Sequence, residues 1–387
     1  MDTKSVMSPK PVFFPDDLII QVIPFLPVKS LLRFKCVSNS LNTLIADPTF
    51  ANLHLKKSKT SPNTQFTLIT NHVKPSVDTG SCNGLICLVG YNSISNKSFS
   101  RRDNIHQDYW LRLWNPATRK ISQKIGYLRD VRCFVFNFGW DDSTGTFKVV
   151  ASRTDHHSYT NKVKVFTIGD NVWRKIEEFP AVPLGLGWRG QRIDKGYEYG
   201  CVFLNNAFNW LAIHKRSRLN ATFNWSYYVK RITVEGLVIV SLDLRTETYN
   251  QYRLPQGFNK LPPEEPTIGV LEECLCLCYS YKETGIVIWQ MKKFGVEESW
   301  IQFLKISYHV LGLDYDISFL PLFLSKDGDT LGLCSSQNEV AILYNLRDNS
   351  MRRIEVKVHK TIIDGKTRNS LYLSLAQGYV ESLISVC

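Results

Sequence analysis

The stretch LRLWNPATRKISQKI, residues 111–125, consists of an apolar run, a polar turn and a second run rich in Lys and Arg. The same order returns in four later segments: VKVFTIGDNVWRKIE (163–177), VIVSLDLRTETYNQYRLP (238–255), IVIWQMKKFGVEESWIQFLKI (286–306) and VAILYNLRDNSMRRIEV (340–356). Each of the five follows a shorter apolar segment: GLICLVG (84–90), FKVVASR (147–153), CVFLNNAFNWLAI (201–213), ECLCLCYSY (273–281) and TLGLCSS (330–336). Short apolar runs bounded by Asp, Asn, Gly, Ser and Thr predict strands joined by tight turns. Residues 60–387 are therefore predicted to be almost entirely β-structure.

The period of this repeat is about 45–75 residues, which is the length of two hairpins or one four-stranded propeller blade. Blades arranged radially leave no long open sheet edge, so a long all-β chain avoids pairing with other copies. FTLITN (66–71) and YLSLAQGYVESLISV (372–386) have no repeat partner, and we expect them to share a sixth blade that closes the ring. Five or seven blades are alternatives. A β-sandwich is another, although about 320 residues would be large for one core.

The first sixty residues follow a helical pattern instead. Pro-Asp-Asp at 15–17 suits a first helical turn, and the apolar residues after it recur at spacings of three and four. The periodicity restarts in VKSLLRFKCV (28–37), and Ser38 can cap a third helix that carries Leu41, Leu44 and Ile45. Asp47-Pro48 opens a short fourth turn. We therefore predict three short helices.

This helical segment is too apolar to bury all of its own side chains. Its apolar residues are Phe13, Phe14, Leu18, Ile19, Val22, Ile23, Phe25, Leu26, Val28, Leu31, Leu32 and Phe34. About 45 residues bury too little surface to form a stable domain unaided. We expect part of this surface to be covered by another protein or by the rest of the chain. The alternative is an ordinary helical cap on the large domain.

Residues 13–58 resemble a plant F-box. The resemblance is carried by Pro-Asp-Asp-Leu (15–18), by LPVKSLLRFKCV (26–37) and by LIADPTF (44–50). It implies docking to the Skp adaptor of an SCF-type ubiquitin ligase, whose scaffold is a cullin. Carried over position by position, the residues that build this module or meet the adaptor are Pro15, Leu18, Leu26, Pro27, Val28, Leu31, Leu32, Phe34 and Val37.

The chain departs from the F-box pattern after Val37. The family usually reads Cys-Lys-x-Trp there, whereas this chain reads Ser38-Asn39-Ser40-Leu41. A smaller aliphatic residue replaces the aromatic one, and a positive charge is lost. Because a large-to-small change at a packed site costs roughly 1–3 kcal/mol, we expect weaker adaptor binding than is typical of the family.

The β-rich part resembles the F-box-associated domain of plant F-box proteins, which include F-box/kelch-repeat and S-locus F-box proteins. The residues that carry this resemblance are SCNGLICL (81–88), LWNPATR (113–119), FGWDDSTGTFKVV (138–150) and YVESL (379–383). The kelch double-glycine pattern is not evident. The predicted organisation is an F-box at 12–58, a linker at 59–65 and a propeller at 66–387.

The two resemblances together imply a non-catalytic substrate-recognition subunit that works in the cytoplasm, the nucleus or both. The propeller loops would bind a target protein for ubiquitination. His156 and His157 in the TDHHSYTN loop, and Trp188 and Arg189 in a Gly-rich loop, are candidate contact residues. The sequence does not name the target.

The net charge of +12 permits a second hypothesis. Residues 1–60 contribute +4 and the remainder +8, so the excess is diffuse, whereas a nucleic-acid reader usually concentrates it on one stripe. A propeller that binds acidic partners or nucleic acid outside the ligase is therefore an alternative, but we expect no nucleic-acid partner. No run of 18 apolar residues occurs, so we expect no membrane partner.

The sequence gives little support for nucleotide binding, metal binding or catalysis. GLGWRG (185–190) fits the dinucleotide pattern but lacks the strand before it and the helix after it, so we expect no cofactor. Cys274, Cys276 and Cys278 alternate along a predicted strand, which suits core residues better than a metal site. Known hydrolase and phosphate-binding motifs are absent. A propeller enzyme with groups that converge at the axis is the third hypothesis.

Overall fold

The computed structural model describes residues 16–60, 65–68, 76–93, 106–131, 134–154, 161–184, 200–214, 225–312, 318–325, 327–335, 341–354, 361–363, 366–368 and 376–386. The first of these ranges is the helical module (residues 16–60). Its elements are α1 (Asp16–Val22), a 3-10 turn (Ile23–Phe25), α2 (Val28–Phe34), α3 (Asn39–Ala46) and α4 (Pro48–Thr60). Pro24 lies in the 3-10 turn, where its missing N–H breaks the α-helical bonding pattern. The Ser38 side chain accepts a hydrogen bond from the Leu41 N–H at 3.2 Å and caps α3, as predicted.

The fourth helix differs from the prediction. The sequence predicts three helices, a short turn after Asp47 and a polar linker from residue 59, but α4 is a regular helix of 13 residues. Lys56, Lys57 and Lys59 made this segment look like a linker. A buried face formed by Phe50, Ala51, His54 and Leu55 holds the helix in place, while Lys56 and Lys59 are exposed and the Lys57 Nζ lies 4.9 Å from the centre of the Phe25 ring.

The body of the protein consists of antiparallel sheets. After β1 (Gln65–Leu68), the first sheet contains β2 (Ser76–Cys82), β3 (Leu85–Ser93), β4 (His106–Asn115), β5 (Lys120–Ile121) and β6 (Ile125–Val131). The second contains β7 (Val135–Asp141), β8 (Thr146–Thr154), β9 (Asn161–Thr167) and β10 (Trp173–Lys175). The third contains β11 (Ala181–Pro183), β12 (Cys201–Leu204), β13 (Ala207–His214), β14 (Leu237–Asp243) and β15 (Thr248–Tyr252), with the helix α5 (Trp225–Tyr228) between β13 and β14.

The remaining strands repeat the same arrangement. The fourth sheet contains β16 (Thr267–Leu271), β17 (Cys274–Tyr281), β18 (Gly285–Met291) and β19 (Trp300–Ile306). The fifth contains β20 (Phe319–Leu324), β21 (Thr330–Ser335), β22 (Ala341–Asn345) and β23 (Met351–Ile354). The last strands are β24 (Thr361–Ile363), β25 (Lys366–Arg368) and β26 (Ala376–Tyr379). Each of the five predicted repeats thus occupies one sheet, and its two apolar segments lie on neighbouring strands.

The two ends of the body pair with each other. β1 and β26 are antiparallel, with Gln65 opposite Tyr379 and Leu68 opposite Ala376. β26 also contacts β2 of the first sheet and β20 of the fifth. The first strands of successive sheets lie beside one another as well, β2 beside β7 and β16 beside β20.

Apolar side chains fill the spaces between successive sheets. Between the first and second sheets, Leu111 and Leu113 belong to the same cluster as Phe136 and Phe138. Between the second and third, Val150 and Val165 lie with Phe208 and Trp210. Two further clusters join the third sheet to the fourth and the fourth to the fifth. The aromatic residues thus join neighbouring sheets, as expected for propeller blades.

A buried ion network also joins the second and third sheets. The Lys148 Nζ lies 2.9 Å from Asp141 Oδ2 and 3.1 Å from Glu247 Oε1, and it donates to the Leu244 carbonyl oxygen at 2.6 Å. Asp141 has no exposed surface. Burial acts to raise the pKa of Asp141, but hydrogen bonds from Ser143, Lys148 and Thr144 hold it well below its usual range. The carboxylate therefore stays charged inside the protein.

Candidate functional site

The helical module presents an exposed apolar face. Among the described residues, the fourteen most exposed large apolar side chains include seven from this module, although it is a small part of the chain. These seven, called the apolar face below, are Leu18, Ile20, Val22, Phe25, Phe34, Val37 and Leu53. The other seven are spread along the sheets from Ile121 to Ile354. A concentration of exposed apolar side chains is typical of surfaces that bind other proteins.

The apolar face is exposed because the module already has a filled interior. Ile23, Leu31, Ile45 and Phe50 form a buried cluster, and Ile19 packs against it. In α1, Ile19 faces this cluster, while Leu18 and Ile20, each about 100° away around the helix, are 48% and 46% exposed. Val37, at the end of the α2 segment, is 69% exposed. The module cannot bury this second set of side chains by itself.

The structure divides the residues predicted from the F-box resemblance. Leu18, Pro27, Phe34 and Val37 are exposed, and Leu26 and Leu32 are half-buried. Val28 and Leu31 are fully buried, so they build the module and do not lie at its surface. Pro15 lies outside the described residues. Leu41, where the family usually has Trp, is half-buried and packs against the interior cluster.

Four residues of the apolar face are missing from the predicted set. Val22 and Phe25 follow Leu18 at spacings of four and three, which the sequence could have revealed as a second apolar stripe, whereas Ile20 does not fit that spacing. Leu53 was missed because α4 was predicted to be a short turn.

A buried histidine fixes the junction between the 3-10 turn and α2. The His54 Nε2 lies 2.9 Å from the Leu26 carbonyl oxygen, and its Nδ1 lies 3.4 Å from the Ser58 hydroxyl. Burial lowers the pKa of His54, while the Leu26 carbonyl and the Glu381 carboxylate act to raise it. A neutral ring protonated on Nε2 donates to the Leu26 carbonyl oxygen and accepts from the Ser58 hydroxyl at Nδ1.

Two models of known families match the chain. A model described as "F-box associated beta propeller domain" matches residues 51–386, and a model described as "F-box domain" matches residues 14–52. The chain belongs to the F-box-associated β-propeller family. The predicted resemblance is confirmed, and the sheet-rich body is propeller-like.

Relatives of this F-box-associated propeller protein align with most of its length. An F-box/kelch-repeat protein of Arabidopsis thaliana is 25% identical over 79% of this chain and 82% of its own length. The F-box protein CPR1 of the same plant is 26% identical over 89% of this chain and 84% of its own length. Among solved structures, the β-propeller domain of the trilobed protease from Pyrococcus furiosus aligns with 78% of this chain and 79% of that chain, with 10% identity and a TM-score of 0.39.

The candidate target-contact residues of the propeller lie outside the described residues. This holds for His156, His157, Trp188 and Arg189, and also for the GLGWRG segment. The strands show where the first loop begins, since β8 ends at Thr154 and β9 starts at Asn161.

Two of the three alternating cysteines lie in the core, and Cys274 is half-buried. Cys276 and Cys278 on β17 are buried, and burial raises the pKa of Cys276 to about 12 and the pKa of Cys278 further. Within the described ranges, no group of three or more His, Cys, Asp or Glu residues is placed to hold a metal ion. In that same part of the chain, no helix is long and apolar enough to cross a membrane.

Proposed function

We propose that this protein is the substrate-recognition subunit of an SCF-type ubiquitin ligase. The helical module binds a Skp-type adaptor, and through it the cullin scaffold, while propeller loops bind the target protein. The observation that carries this proposal is the apolar face, since its seven large side chains stay exposed although the module has a buried core. The F-box model that matches residues 14–52 supports a Skp-type adaptor as the occupant of this face.

The mechanism is proximity, and the chain needs no cofactor for it. A target held beside a charged ubiquitin-conjugating enzyme meets its thioester at a high effective concentration, so transfer becomes nearly intramolecular. Other subunits perform the chemistry, and this chain acts as a non-catalytic adaptor in the cytoplasm or nucleus. Relatives named as F-box proteins support this role.

Target binding is assigned to the end of the propeller opposite the helical module. The module adjoins the first sheet near the turn at Asn83–Gly84, and Cys82 at the end of β2 interacts with the backbone of Trp140 near the end of β7. The β8–β9 loop starts at the far end of the second sheet, because β8 runs antiparallel to β7. This loop carries His156 and His157, and we include Trp188 and Arg189 as further contacts.

We further propose that the body is a closed ring of six blades. β26 contacts both the first and the fifth sheets, and its pairing with β1 supports a sixth blade shared by the two ends. We propose the domain division that the sequence predicts, with the F-box at 12–58, the linker at 59–65 and the propeller at 66–387. The helix α4 extends through residue 60, into the predicted linker.

The adaptor proposal is tested by measuring the affinity of the full chain for a purified Skp adaptor. Leu18→Asp, Phe34→Asp and Val37→Asp introduce charge at exposed positions, so they spare the interior. Together they should weaken binding at least a hundredfold, because charges replace side chains that an interface buries. The control combines Val172→Asp and Ile301→Asp, two apolar residues of the body that are similarly exposed.

The control variant should bind within twofold of the parent protein. Adaptor binding that survives all three charged substitutions would contradict the proposal, and so would equal loss in the control. Thermal unfolding of each variant shows whether a loss of affinity reflects a loss of folding.

A further inference from the structure

The C-terminal segment Val380–Val386 runs between the helical module and the first sheet with its side chains alternating between the two. Glu381 and Leu383 face the helical module. Ser382 lies against Gly84 of the β2–β3 turn, and Ile384 and Val386 pack in the cluster between the first two sheets. This alternation is what an extended strand gives when both of its faces are covered.

Glu381 supplies the first turn of α2 with an acceptor. Its Oε2 accepts a hydrogen bond from the Val28 N–H at 3.2 Å, across 353 residues of sequence. The residue before α2 is Pro27, whose side chain cannot cap the helix. His54 holds the Leu26 carbonyl on the other side of the same corner. Residues 26–28 are thus fixed from α4 and from the C-terminal segment together.

Leu383 completes the interior of the helical module. It packs against the cluster formed by Ile23, Leu31, Ile45 and Phe50. A module of about 45 residues buries little apolar surface, so one added leucine is a considerable part of its core. The body therefore covers part of the apolar surface of the module and leaves the apolar face free.

The other side of the segment is fixed to the first sheet. The Asn115 amide Nδ2 donates to the Ser382 carbonyl oxygen at 3.0 Å and to the Ile384 carbonyl oxygen at 2.9 Å. Gly84 has a positive φ of 79°, and a Cβ there would lie 2.2 Å from the Ser382 Oγ. The backbone of the turn and the C-terminal segment thus approach too closely for any side chain at residue 84.

We infer that Val380–Val386 is a clasp that completes the helical module and fixes its orientation on the propeller. Glu381 and Leu383 are positioning residues for the apolar face, since they hold the corner and the core from which α1 and α2 extend. The clasp itself follows from the contacts, whereas its effect on adaptor binding rests on the proposed function. Because the clasp fixes the helical module on the propeller, it determines the position and orientation of a bound target relative to the ligase.

Hydrogen exchange on the full chain tests the clasp without any partner. Glu381→Ala should accelerate exchange of the Val28–Phe34 amides about five- to tenfold, since a hydrogen bond to a charged acceptor is lost. Glu381→Gln keeps an acceptor oxygen and should exchange nearly as the parent does. Leu383→Ser should accelerate exchange through all four helices. Its control is Leu324→Ser, a partly buried leucine that packs between the fourth and fifth sheets.

Adaptor affinity provides the second measurement. Glu381→Ala should weaken binding about fivefold, Glu381→Gln should restore it, and Leu324→Ser should leave it unchanged. Parent-like exchange in both Glu381→Ala and Leu383→Ser would overturn the clasp. Faster exchange with unchanged affinity would overturn the positioning role. If the parent protein binds no adaptor, the proposed function fails, and the exchange data still test the clasp.

Discussion

Asn115, Asp243 and Asn345 occupy equivalent positions, since they are the last residues of β4, β14 and β22, before the turns to β5, β15 and β23. In each, a side-chain oxygen accepts a hydrogen bond from a turn N–H two or three residues later, at 3.1 Å from Thr118, 2.8 Å from Arg245 and 2.8 Å from Arg347. This is the ordinary turn chemistry of Asn and Asp. Asn115 in addition donates its amide to the clasp, which Asp at the same position could not do.

Asn115→Asp should therefore keep the turn and lose the clasp. A carboxylate would face the carbonyl oxygens of Ser382 and Ile384 in a fully buried position. We expect a loss of about 2–4 kcal/mol in the free energy of unfolding, measured by urea denaturation. The control, Asp243→Asn, keeps the turn acceptor and weakens only a partly exposed pair with Arg245, so it should cost less than about 1 kcal/mol. Similar losses in the two variants would contradict this assignment.

Single elements differ in how far the sequence predicts them. The sheets were predictable because each repeat carries its own apolar runs and turn residues, as in residues 111–125 and 163–177. The helix α4 was not, because three lysines in its last turns obscured a buried face that depends on the rest of the module. The contact between Glu381 and Val28 was not predictable either, since no local pattern relates residues so far apart in sequence.

The stability of the helices should depend on pH through His54. Its pKa is lowered in the folded protein, so the unfolded chain binds the proton more readily. The stability that the neutral His54 contributes is therefore fully present above the pKa of the unfolded chain, about 6.5, and is lost as the pH falls below that value. Glu381 and the Leu26 carbonyl oppose this effect, and the Ser58 hydroxyl also lies beside the ring.

Hydrogen exchange of the α2 and α4 amides between pH 7.5 and 5.0, corrected for the intrinsic pH dependence of exchange, measures the loss. Protection should fall with acidification in the parent protein. In His54→Gln, whose side chain can still donate to the Leu26 carbonyl, the fall should be much smaller. An equal fall in both proteins would show that another group is responsible.

The sheets of the body are held together by packing between them and, between the second and third, by the network around Lys148. Lys148 is nearly buried and is the cation of two carboxylates that belong to different sheets, Asp141 and Glu247. The apolar clusters supply most of the favourable free energy, whereas the ion network depends on the short distances from the Lys148 Nζ to Asp141 and Glu247. A fixed angle between these sheets would hold loops from both at a constant separation.

Lys148→Met keeps much of the volume of the side chain and removes its charge. Asp141 is then left buried without its cation, and the Leu244 carbonyl loses a donor. We expect a loss of about 3–5 kcal/mol in the free energy of unfolding, measured by chemical denaturation. Arg129→Met makes the same type of change in a pair with Asp108 in which the arginine side chain is 69% exposed, and should cost about 1 kcal/mol or less. Both variants replace a cation with methionine, so a larger loss in the free energy of unfolding for Lys148→Met reflects the burial of its network. Equal losses would mean that the network contributes no more than a surface pair.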